Sequence, residues 1–103
     1  SPENLHLLNR YFNKIIIKND NGFKYKAVLK SGKYQNKDSL YTYLEGLGDQ
    51  IKMTRAVHNY FTNGIPYVWG GWFYLNDPNL SIMLNLIEPG VITNIHELVI
   101  ADQ

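Results

Sequence analysis

The sequence predicts a single α+β domain spanning residues 1–103: an N-terminal helix, a β-hairpin, two consecutive helices and an antiparallel β-meander of two or three strands. Three observations carry this expectation. Leu5, Leu8, Phe12 and Ile15 recur at helical spacing; two short apolar runs flank Asp20, Asn21 and Gly22; and the C-terminal third strings apolar runs between Asp77-Pro78-Asn79 and Pro89-Gly90. At 11.9 kDa and 45% apolar residues the chain can bury one core and has no room for a second.

The first helix is expected over Pro2 to Asn13, where Pro2 suits the first turn and the apolar stripe runs down one side. KIIIKNDNGFKYKAVLK reads as a hairpin. With a three-residue loop and Gly22 in the left-handed position, Lys18 pairs with Lys24, Ile17 with Tyr25, Ile16 with Lys26 and Ile15 with Ala27. Ile15, Ile17, Tyr25 and Ala27 then share one face, and Lys14, Lys18, Lys24, Lys26 and Lys30 gather on the other with Ile16 and Val28. Asp38 suits the N-cap of a helix over residues 39–47 that Gly46 and Gly48 loosen, and Asp49 that of a second helix over 50–62, closed by Asn63 and Gly64.

YVWGGWFYL and LSIMLNLI read as paired strands across the Asn76 to Asn79 loop, with Leu75 opposite Leu80. This register sets Trp69 against Leu86, Gly71 against Leu84 and Phe73 against Ile82 on an apolar face, so Trp69 is expected in the core. Val68 meets Ile87, Trp72 meets Met83 and Tyr74 meets Ser81 on the other face. The two tryptophans point apart unless a bulge at Gly70 and Gly71 brings them together. Pro89 and Gly90 form a type II turn into VITNIHELVIA, which reads as a strand, with a short helix capped by Asn94 as the competing reading.

Charge is unevenly distributed. Residues 1–37 hold Arg10 and seven lysines against Glu3 and Asp20, a net +6, while the remainder holds Lys52 and Arg55 against seven acids, a net −5. Such a bipolar chain suits a polyanion at one end or stacking between copies. No run of eighteen apolar residues exists, which excludes a membrane-spanning helix, and the absence of cysteine removes thiolate metal sites and disulfides and suits a reducing cytoplasm, or a host cell interior for a viral protein. His6, His58 and His96 have no metal-ligand spacing, no serine sits in a nucleophile elbow and no glycine-rich phosphate loop occurs; no cofactor, metal or catalytic residue is expected.

Two binding surfaces follow. Lys14, Lys18, Lys24, Lys26, Lys30, Lys33 and Lys37, with Tyr34 as a stacking group, form a row suited to a phosphate backbone, which makes a non-enzymatic DNA-binding domain the first expectation. A lysine-protected sheet edge explains the same residues without a ligand. Val68, Trp72, Tyr74, Met83 and Ile87 form the second surface, either a small packed layer or a patch for a protein partner. That partner would be a second copy of the chain or a host protein inhibited by a viral or mobile-element product.

Overall fold

The computed structural model describes residues 14–101, and the helix expected over Pro2 to Asn13 lies outside them. Strands β1 (Lys14–Ile17), β2 (Tyr25–Leu29), β3 (Ile51–Met53), β4 (Trp72–Leu75) and β5 (Ile92–Ile100) form one sheet in the order β1-β5-β2-β4-β3. Three α-helices accompany it among the described residues: α1 (Lys37–Leu47), α2 (Arg55–Thr62) and α3 (Leu80–Ile87). The α+β class is as expected. The order is not: one five-stranded sheet replaces a separate hairpin and meander.

The turn at Asp20-Asn21-Gly22 forms with the expected chemistry. Gly22 has φ 85°, its N–H donates to Asp20 Oδ1 at 2.8 Å, and Phe23 N–H donates to Asn21 Oδ1 at 3.0 Å. Yet β1 and β2 do not pair, because β5 lies between them, parallel to β1 and antiparallel to β2. The turn reverses the chain, and a nine-residue strand rich in β-branched residues supplies hydrogen bonds to both sides. The predicted faces change accordingly. Ile15 pairs with Leu98 and Tyr25 with Glu97, so Ile15 and Ile17 lie on the opposite side of the sheet from Tyr25 and Ala27.

The expected helix over 50–62 is divided. Gly48–Gln50 is a 3-10 turn, Ile51–Met53 is an edge strand, and α2 starts only at Arg55, where Thr54 Oγ1 accepts from Val57 N–H at 3.4 Å. Thr54 is thus the cap, not Asp49. At α1 the N-cap is Asn36 in place of Asp38, and Asn36 N–H donates to Glu88 Oε1 at 2.7 Å across the chain. Asn63 and the left-handed Gly64 (φ 69°) close α2 as expected.

The segment Leu80–Ile87 is a helix, which removes every pairing of the expected tryptophan hairpin. A tight turn at Asp77 and Pro78 leads into this helix: Leu80 N–H donates to Asp77 O and Ser81 N–H to Pro78 O, both at 3.1 Å, with Pro78 just ahead of the N-cap Asn79. Topology requires it as well. β4 and β5 both run antiparallel to β2 and hence parallel to each other, and parallel strands need a crossover that no tight turn can supply. The Pro89-Gly90 turn and the strand after it are as expected, with Gly90 at φ 77° and Val91 N–H donating to Glu88 O at 3.1 Å.

Only Trp72–Leu75 of the predicted strand over 67–75 is a strand. Gly70 at φ 58° turns the chain before it, Val68 bridges Gly32 in isolation, and Trp69 is 75% exposed, not in the core. Phe73 is fully buried, as the alternation requires. The core joins Ala27, Leu29, Phe73, Leu75 and Ile51 of the sheet to Leu40 and Leu44 of α1, Val57 and Tyr60 of α2, and Leu84 of α3. All three helices bury side chains in this one cluster. The sheet's other face receives none of them.

Candidate nucleic-acid interface

Alternation along each strand decides what the second face carries. Ala27, Phe73, Leu75 and Ile51 point to the helices, so Lys26 and Val28 of β2, Trp72 and Tyr74 of β4, Lys52 of β3 and His96 of β5 point away. The pairings Lys52 with Tyr74, Tyr74 with Lys26, and Lys26 with His96 align these four across four strands. Trp72, Val28 and Asn94 form the next row.

Within this face Lys26 Nζ stands 4.2 Å from the centroid of the Trp72 ring, a cation over an indole. Phe23 stacks on Tyr74, with centroids 6.3 Å apart and planes 29° from parallel. Phe23 is held there by the turn: Asn76 accepts from Lys24 N–H at 2.8 Å and donates to Gly22 O at 3.3 Å, tying the β1–β2 loop to the end of β4. Phe23, Lys24, Asp20, Gly22 and Asn76 line a shallow hollow. Trp72 Nε1 and His96 Nδ1 are buried atoms with no hydrogen-bond partner among the described residues.

The structure scatters the predicted lysine row. Lys14 faces the helix side opposite Glu97, Lys18 follows the end of β1, and Lys30 follows β2, its N–H donating to Val91 O at 2.7 Å. Lys33 is exposed in the next loop, while Lys37 turns inward with Nζ 4.2 Å from the Tyr60 ring. Tyr34 is 3% exposed and belongs to the core. Its hydroxyl donates to Lys30 O at 2.6 Å, its N–H to Tyr60 Oη at 2.9 Å, and its ring meets the Tyr60 ring edge-on. Burial, reinforced by Tyr60 and Glu88 nearby, raises the Tyr34 pKa well above the ordinary tyrosine range.

The second predicted set is divided by the sheet. Trp72 and Tyr74 share the face that points away from the described helices; Val68 is buried, Ile87 packs against the core, and Met83 lies on α3, whose Leu84 is buried among the helices. What the structure brings together is a mixture of the two sets: Lys26 and Lys24 from one, Trp72 and Tyr74 from the other. Phe23, Lys52 and His96 join them unanticipated. Lys52 was hidden by the expectation of a helix at that point, while the alternation KYKAV and WFYL already placed Lys26 and Trp72 on non-core positions.

Among the described residues no group of three metal-ligating side chains converges, and no helix is long and apolar enough to cross a membrane. Comparison with family models, with curated proteins and with solved structures finds no match for this chain.

Proposed function

We propose that this protein is a non-enzymatic domain that binds single-stranded nucleic acid, DNA foremost, on the half-buried face of its sheet that points away from the described helices. The observation that supports this most is Lys26 above Trp72, a cation and a flat ring in one place. Bases stack on aromatic side chains whatever their identity, and lysines neutralise the phosphates between them. Trp72, Tyr74 and Phe23 supply rings; Lys24, Lys26 and Lys52 supply charge. A phosphate that draws Lys26 Nζ away exchanges a cation–π contact, about 0.5–1 kcal/mol where solvent reaches it, for an ion pair and frees the indole for a base. Lysine is a point charge that reads no base edge, so binding is insensitive to sequence.

Fluorescence anisotropy of a labelled oligothymidine tests this. Three phosphate contacts give a slope of log affinity against log salt of about −2, and Lys24→Ala with Lys26→Ala flattens it to about −0.7. Binding that ignores salt between 50 and 200 mM, or no binding at about 50 mM, refutes the reading.

A second reading rests on α3. Ile82 and Leu86 are 62% and 71% exposed and Met83 lies beside them, an apolar outer face on a helix with no charged residue. Two such faces can meet about a twofold axis without like-charge repulsion, which favours a second copy of this chain as the protein partner. Leu86→Glu then converts a dimer to a monomer in sedimentation. A monomer before the change leaves this reading without support.

A further inference from the structure

We infer that the β2–β4 pair continues past the sheet as a second nucleic-acid contact, in which Trp69 takes a base by stacking and Lys30 and Lys33 hold the adjoining phosphates. This rests on the function proposed above and lengthens its site. The register that sets Tyr25 against Leu75 and Val28 against Trp72 is kept beyond both strands. Leu29 N–H donates to Gly71 O at 2.9 Å, Gly32 N–H to Val68 O at 2.8 Å, and Val68 N–H to Gly32 O at 3.0 Å. Gly70 N–H adds a bond to Ser31 Oγ at 3.1 Å. A ribbon thus runs on from the sheet, with Ser31 level with Trp69 and Lys33 level with Tyr67.

Alternation fails once along this ribbon, and the failure turns Trp69 outward. Val68 and Gly71 both face the core although they are three positions apart: Val68 is 3% exposed, and a Cβ at Gly71 would meet Val68 Cγ2. Left-handed Gly70 takes up the extra residue, so Trp69 leaves the core side as Trp72 does. Trp69 and Tyr67 are 75% and 52% exposed with ring centroids 6.3 Å apart, while Val68 between them anchors the segment. Rings held out by a fixed backbone lose little freedom on binding, which suits a stacking platform. Charge selects the ligand class. Residues 21–37 and 50–76, which contain both sides of the ribbon, carry six lysines and Arg55 and no acidic residue, and Lys30 and Lys33 are exposed. Such a field attracts a polyanion. A lipid surface calls for a broader aliphatic face, whereas Ile65 is the one large aliphatic side chain exposed over residues 63–71. From Tyr74 to Tyr67 the track measures at most about 23 Å, at ~3.3 Å per residue.

The test uses the full chain and an oligothymidine of about 16 nucleotides, long enough to span both patches. Lys30 and Lys33 add two phosphate contacts to the three at the centre of the sheet, so the salt slope should steepen from about −2 to about −3.5, and Lys33→Ala should return about 0.7 of it. Trp69→Ala should weaken binding about 10-fold, the loss of one stacked base, with its thermal midpoint unchanged. A direct reading comes from Trp72→Phe, which leaves Trp69 as the only tryptophan; its emission should be quenched as the oligonucleotide is added. Parent-like affinity in Trp69→Ala, or unquenched Trp69 emission while the oligonucleotide binds, overturns the inference and leaves the central site standing. A parent chain that binds no oligothymidine at all removes the proposed function and this extension together. Vesicles of phosphatidylserine and phosphatidylcholine supply the last arm. If they capture the parent but not Trp69→Ala, while the two bind oligothymidine alike, the rings serve a lipid surface and the inference falls.

Discussion

Lys26 and Trp72 are diagonal neighbours on adjacent strands: β2 pairs Lys26 with Tyr74 and Val28 with Trp72, and the lysine crosses the diagonal to set its Nζ 4.2 Å from the indole centroid. This one contact joins the basic and aromatic features of the sequence on the face that the described helices do not pack against. Trp72→Ala should therefore lower affinity for a single-stranded oligonucleotide about 10- to 100-fold, the loss of one stacked base at about 1–3 kcal/mol. Trp72→Phe retains a π-face and should recover most of the binding. Equal affinities for all three proteins by anisotropy would rule out stacking on this ring.

The two aromatic residues Trp69 and Phe73 should respond oppositely to truncation. Phe73 is fully buried and Trp69 is 75% exposed. Phe73→Ala is expected to cost about 3–5 kcal/mol, while Trp69→Ala should stay within about 0.5 kcal/mol of the parent. Urea denaturation midpoints of the two variants decide the matter.

Two glycines offer a matched comparison. A Cβ at Gly71 would meet Val57 Cγ2 and Val68 Cγ2, each at 2.8 Å, whereas one at Gly46 within α1 meets nothing within 4 Å. Gly71→Ala should destabilise the domain by about 1–3 kcal/mol through overpacking, and Gly46→Ala should stabilise it by up to about 1 kcal/mol through helix propensity. Thermal melts of opposite sign are the expected result.

Glu88 is a buried carboxylate, 5% exposed, that accepts from the Asn36 N–H at the start of α1. Glu88→Ala strands that donor and should cost about 1–3 kcal/mol. Glu88→Gln keeps an acceptor oxygen and should cost less, so a stability order of parent, Gln, Ala is the outcome to look for in denaturant titrations.

Alkaline pH should weaken the fold through Tyr34. Its pKa is raised by burial and by its neighbours Tyr60 and Glu88, so above the ordinary tyrosine value of about 10 the unfolded chain gives up a proton that the folded chain retains. The contribution is complete below pH 10 and declines as pH rises beyond it. Tyr34→Phe should lose stability at pH 7, through the missing bond to Lys30 O, and show a shallower decline between pH 10 and 11.5.

The sequence by itself determined the local events. Asp20-Asn21-Gly22 reverses the chain, Asn63-Gly64 ends a helix, Pro89-Gly90 turns into a strand, and Phe73 is core, because each depends on residues a few positions apart or on simple alternation. Partner choice was decided only in the tertiary structure. β5, some seventy residues beyond the first turn, enters between β1 and β2 and sends Ile15 and Ile17 to the face opposite Tyr25 and Ala27. LSIMLNLI satisfies strand and helix patterns alike, and only the need to carry the chain from β4 across β2 to β5 selects the helix. That selection moved Met83 away from Trp72, and the β2–β4 pairing put Lys26 in its place. Strand pairing is non-local, so no reading of nearby residues could have set that lysine on that ring.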